Sequence, residues 1–205
     1  MTPPNGWLRI LVTGVSVTAA SLVLGGLTSL AQGFLPETLS PFANSISGWT
    51  IVTAAVIWFS QARWPWTPLF GALSFVALLV GYAVVSTARG FYYSPTSWLL
   101  IAIVAGPFVG LAAGWLREGD GRKVAIGTGF LAGILIGDGI RGLIVVAETT
   151  GWLYWVLVIA AGVALVADVA ISRLRTTRLV GLVLLATVVA TGCVVGGLFV
   201  LDLVL

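Results

Sequence analysis

Three ionisable residues stand inside apolar stretches of this 205-residue chain: Asp138, Arg141 and Asp168. A charge in hydrocarbon is costly, so each is a candidate for function. Asp138 and Arg141 belong to the run Gly137-Asp138-Gly139-Ile140-Arg141-Gly142. A spacing of three puts them on one helical face, where they can pair. The flanking glycines let a ligand or a neighbouring helix approach the backbone. Two readings stay open, a structural ion pair and the polar floor of an outward-facing site. Counted from Lys123, Asp138 lies about 22 Å across a bilayer and Arg141 about 27 Å, at 1.5 Å per residue. The pair therefore falls in the outer half, and Arg141 can snorkel to the interface. Asp168 stands five residues before Arg173, about 7 Å from the inner boundary. There a carboxylate beside arginines is the ordinary expectation. Asp138 and Asp168 thus differ in depth by about 15 Å, too far to share a proton as aspartyl-protease carboxylates do. Leu135 also occupies the first glycine position of the Gly-x-Gly-Asp motif of intramembrane aspartyl proteases.

Other chemistries find little support. The chain has no histidine, which removes His acid–base chemistry and histidine metal sites. Cys193 is the one cysteine, so no intrachain disulfide can form. Lys123 is the one lysine, and the last helix offers none for a retinal Schiff base. No phosphate-binding loop or nucleophile–base arrangement appears. We expect no enzyme, no cofactor, no metal and no nucleic-acid partner.

Three loop groups supply further polar and aromatic candidates: Asn44, Ser45 and Ser47 before Trp49; Arg89, Tyr92 and Tyr93 before Pro95 and Trp98; and Glu148, Trp152 and Tyr154. With Asp138 and Arg141 these can line a small-molecule pocket of aromatics and a few polar anchors. Taken singly, each is more simply an interfacial anchor.

The elements that must position these residues follow from composition. Only 8% of residues are charged and 59% are hydrophobic. Soluble domains carry roughly 25% charged residues, so this chain cannot build a water-facing surface. Its apolar runs of about 16 to 25 residues match a hydrocarbon core of roughly 30 Å crossed as helix. The expected fold is all-α, a single domain over 1–205 and an integral membrane bundle of seven transmembrane helices. The spans are Leu8–Ala31, Ile46–Ser60, Thr67–Ala88, Ser97–Leu116, Val124–Ala147, Trp152–Ile171 and Leu179–Val200. The second is short for a full crossing. The first is too long for the apolar core of a signal peptide and is expected to be retained.

Orientation follows from arginine and lysine in the short connections. With the N-terminus cytoplasmic, Arg9, Arg63, Arg117, Arg122, Lys123, Arg173, Arg175 and Arg178 all lie inside. Arg89 alone falls in an outer loop, and the C-terminus lies outside. The expected location is the plasma membrane. Gly106, Gly110 and Gly114 recur every fourth residue, as do Gly129, Gly133 and Gly137, and Gly192 with Gly196. Small residues so spaced let helices approach closely, within the chain or against a second copy or partner subunit. Pro107 lies mid-span and is expected to kink its helix.

The stretch Phe42-Ala43-Asn44-Ser45 leading into Trp49, the run from Ala105 to Gly110 ending in Trp115-Leu116-Arg117, and the glycine-rich fifth helix resemble a family of roughly 200-residue actinobacterial membrane proteins of unknown function. That resemblance implies no activity and no functional residues. A weaker likeness is to the substrate-binding subunits of energy-coupling-factor vitamin transporters, which hold a ligand under outer loops. Those have six helices and a small-residue motif in the first, which Ala19, Ala20, Gly25 and Gly26 match incompletely. The leading expectation is a protein that binds or transports a small solute through an outward-facing pocket. The alternative is a scaffold or accessory subunit that associates through its glycine faces.

Overall fold

The computed structural model describes residues 6–92 and 95–204, and among them the chain is helical with no strand. Six helices are long and apolar enough to cross a membrane. They are α1 (Gly6–Ala31), α3 (Thr67–Ala88), α4 (Thr96–Trp115), a rod starting with α5 (Gly121–Arg141), then α7 (Leu153–Ser172) and α8 (Thr177–Val204). The rod continues from α5 through a π-helical turn, Gly142–Val146, into α6 (Ala147–Thr150). The remaining apolar helix, α2 (Ile46–Ser60), has 15 residues. That is about 22 Å of helix against a core of roughly 30 Å, so by length alone six of the seven expected spans qualify.

The chain divides into two compact units. The first comprises Met1–Phe34 and Ile51–Gly114, the second Leu35–Thr50 and Trp115–Leu205. Helix α2 begins in the second and continues in the first.

In the first unit α1 packs along α3. Gly25 lies against the backbone of Leu78, and Gly81 against Leu22 and Gly26. Such close approach brings lone serines together. Ser21 meets Ser74 and Ser29 meets Ser86, each pair at 2.8 Å between hydroxyls. Helix α4 lays Gly106, Gly110 and Gly114 against Gly71, Ala72 and Thr67 of α3. It continues through Pro107, whose missing N–H deprives the Ile103 carbonyl of its usual partner. Val17, Ile57, Phe70 and Ala113 form the core.

In the second unit α5 is the central element and packs against α7 and α8. Gly129, Gly133 and Gly137 face α8 at Val183, Thr187, Ala190 and Val194. Gly139 faces Trp155 and Ile159 of α7, and the indole of Trp155 fills the space where a Gly142 side chain would stand. The core joins Val124, Ala125, Val169, Leu174 and Val183. At one end of this unit Arg173 donates to the carbonyls of Leu116 and Glu118, tying two loops together.

Candidate functional site

Two polar sites emerge, one in each unit. The first centres on Asp138, which is 4% exposed. Its position follows from its glycine neighbours: Gly137 seats α5 on α8 and Gly139 seats it on α7. The carboxylate is thereby held at the start of α2. The first N–H groups of any helix lack intrahelical partners, and here they are met in two ways. Ser45, extended at φ −116° and ψ 159°, caps the helix by accepting from the Gly48 N–H at 3.0 Å. One Asp138 oxygen accepts from the Ser47 N–H at 2.9 Å and from the Ser47 hydroxyl at 2.5 Å. Gly48 carries no side chain because the Phe42 carbonyl occupies that space.

Tyr154, the second residue of α7, closes the cluster. Its hydroxyl lies 2.7 Å from Ser45 Oγ and 2.8 Å from Ser47 Oγ. The Gly48 N–H can only donate and the Asp138 carboxylate accepts. The two ends are thereby fixed, Gly48 donating to Ser45 and Ser47 donating to Asp138, and the hydroxyls of Ser45, Tyr154 and Ser47 join them, with Ser45 Oγ also 3.1 Å from Ser47 Oγ. All four side chains are buried and hydrogen-bonded, as buried polar groups must be to avoid a desolvation cost. Arg141 is half-buried at the end of α5.

The second site lies at the ends of α1 and α3 in the first unit. Helix α3 stops at Ala88-Arg89-Gly90 in a Schellman turn. The Phe91 N–H donates to the Ser86 carbonyl, the Gly90 N–H donates to Thr87, and Gly90 has φ +86°. This turn sends the Arg89 side chain back to α1, where Nη1 donates to the Ser29 carbonyl, one of the unpaired carbonyls of the last turn. The guanidinium carbon also lies 5.5 Å from the Phe91 ring centroid, a cation–π contact. The Tyr82 hydroxyl donates to Gln32 Oε1 at 2.9 Å. Around these groups lies a cleft of about 420 Å³, to which Gln32, Gly33, Tyr82, Ser86 and Arg89 contribute. Phe91 and Tyr92 line it with largely exposed rings.

The expected pocket residues therefore fall into two groups. Asn44, Trp49, Asp138, Arg141 and Glu148 belong to the second unit, Arg89 and Trp98 to the first. Asn44 and Glu148 are exposed. Trp49 turns its indole N–H onto the Ala43 carbonyl at 3.1 Å. Trp98 is 43% exposed at the start of α4. Tyr93 lies outside the described residues. Asp168 is exposed on α7. Gln32, Tyr82 and Ser86 were not among the expected site residues. They sit within or beside apolar runs, and no spacing marks them.

The model of a family of unknown function, DUF6518, matches residues 4–203. No curated protein and no solved structure matches the chain.

Proposed function

Since the chain belongs to the DUF6518 family, whose function is unknown, we propose from its geometry that it is a multi-pass membrane protein that binds a small solute in an outward-facing cleft of its first unit. One observation carries this reading. Arg89 stands in a cleft of about 420 Å³, inside the usual range of small-molecule sites, in a unit without a single acidic residue. An arginine placed only to neutralise a carboxylate needs a carboxylate, and its own unit provides none. On the topology read from the loops, Arg89 is also the one basic residue in an outer loop. No catalytic step belongs to this reading. The Asp138 cluster is then a fixed joint that holds the start of α2, not the solute site.

A thermal-shift screen of the purified protein in detergent tests the proposal. Solutes that raise the wild-type melting temperature should lose their effect in Arg89→Gln. A response retained in Arg89→Gln but lost in Asp138→Asn would move the site to the second unit.

Two finer readings accompany it. The chain crosses the plasma membrane seven times, N-terminus inside. Helix α2 completes its crossing because the Asp138 cluster holds its first turn below the outer boundary, and about 22 Å of helix then suffices. A partner subunit or second copy is favoured on one helix only. Gly106, Gly110 and Gly114, like Gly129, Gly133 and Gly137, already face helices of this chain, whereas a side-chain carbon added at Gly192 or Gly196 of α8 would meet nothing within 4 Å. Crosslinking in native membranes checks this, since Gly196→Leu should abolish any crosslinked species while Gly181→Leu, equally open, should not.

A further inference from the structure

We infer that the cleft selects an anion, a carboxylate or phosphate carried on a flat or apolar body; this rests on the reading of the cleft as the solute site. The groups facing it are unequal in kind. Nη1 of Arg89 is engaged by Ser29, while Nε and Nη2 have no hydrogen-bond partner among the described residues. That leaves one edge of a guanidinium fork, the geometry that meets two oxygens of a carboxylate or phosphate at once. Gln32 adds to the excess of donors. Its Oε1 is taken by the Tyr82 hydroxyl, so its amide NH2 is what it has left to offer. No carboxylate of the first unit competes, since none exists. A cation here would meet like charge, with no carboxylate of its own unit to offset it. A neutral solute would leave the free guanidinium edge without an acceptor.

Aromatic rings flank these polar groups. Phe91 and Tyr92, 65% and 88% exposed, offer ring faces to the body of the ligand. Gly33 keeps the open edge clear, because a side-chain carbon there would stand 2.8 Å from Nη2. That atom is the tip of a flexible side chain, so Gly33→Ala can fold normally while crowding the anion site. It separates loss of binding from loss of structure better than a change at Arg89, which also removes a bond to α1.

Anionic groups reach such a cleft from two sources, a free solute or a lipid headgroup. Both can be tested on the intact protein in neutral detergent. Benzoate, benzamide and benzylammonium form a series of similar shape and different charge. Phosphatidylglycerol and phosphatidylcholine doped into the micelle form a second. Benzoate should raise the melting temperature in a dose-dependent way, and its two isosteres should not. Apparent affinity should fall on the order of ten- to hundredfold in Arg89→Gln, the loss of a charged hydrogen-bond pair, and fall also in Gly33→Ala with its unliganded melting temperature unchanged. Equal stabilisation by benzamide overturns the anion inference and leaves the cleft as the solute site. Stabilisation by phosphatidylglycerol alone, lost in Gly33→Ala, keeps the anion chemistry and replaces the free solute by a headgroup. Stabilisation by none, or a benzoate effect that survives in both variants, overturns the inference and the reading beneath it.

Discussion

Asp138 accepts two hydrogen bonds from the first turn of α2, which makes its removal informative. Asp138→Ala strands the buried Ser47 N–H and leaves the Ser47 hydroxyl only the neighbouring Tyr154 and Ser45 hydroxyls. Each unsatisfied donor costs about 1–3 kcal/mol. For a chain of this size that is a fall of several degrees in melting temperature, at roughly 2–4 °C per kcal/mol, measurable by the fluorescence of its nine tryptophans in detergent. Tyr154→Phe should cost about 1 kcal/mol, the net value of an ordinary hydrogen bond. Combined with Ser47→Ala it should be less than additive, because both act on one hydrogen-bonded cluster. Strict additivity would dismantle the cluster. Sequence singles out Asp138, Ser45, Ser47 and Tyr154 as polar residues worth weighing, yet not their union. Ser47 and Asp138 are 91 residues apart and Ser47 and Tyr154 107. Helical spacing points Asp138 to Arg141 because it speaks only of neighbours on one helix. The stronger demand comes from another helix, whose first N–H groups have nowhere else to go.

Helices themselves are far more legible. Ile46–Ser60 and Thr67–Ala88 are expected at the bounds the structure gives them, since lipid allows no polar backbone and hydropathy must change where a helix ends. Partners of the glycine faces are not legible. Gly133 and Gly192 share the same four-residue repeat but have opposite surroundings. A side-chain carbon at Gly133 would stand 2.8 Å from the Thr187 carbonyl and 2.9 Å from the Thr191 nitrogen, both backbone atoms of α8 that cannot swing aside. Gly133→Ala should therefore force α5 and α8 apart and destabilise by about 1–3 kcal/mol, the cost of overpacking. Gly192→Ala meets nothing within 4 Å. It should be neutral or stabilise by up to about 1 kcal/mol through helix propensity. Thermal unfolding of the two variants side by side checks the contrast, and equal effects would mean that α5 and α8 are not packed on these glycines.

At the scale of the whole molecule, charge is distributed unevenly. All seven acidic residues lie in the second unit, and the first holds only Arg9, Arg63 and Arg89 as charged groups. Topology hangs on whether the 15-residue α2 crosses. If it does, the count is seven, Arg63 joins the inner arginines and Arg89 is the one arginine of an outer loop. If it does not, every loop after α2 changes side: Arg117, Arg122, Lys123, Arg173, Arg175 and Arg178 would stand opposite Arg9. Positive residues in short loops resist translocation, so that arrangement opposes the strongest rule available. On the proposed seven-span reading, the hydrogen bonds of Asp138 that anchor the first turn of α2 on α5 answer the shortness of α2. Single cysteines in a Cys193→Ser background report the answer. Probes at Glu37, Thr96 and Thr149 should react with a membrane-impermeant maleimide on intact cells, and labelling of Glu37 and Thr96 from opposite sides would mean that α2 does not cross. Probes at Gly119 and Thr176 should react only after lysis. Labelling of Gly119 and Thr149 from the same side would break the seven-span account, because one rod separates them. Labelling of Gly119 and Thr176 from outside would invert the second unit and set it against its own arginines.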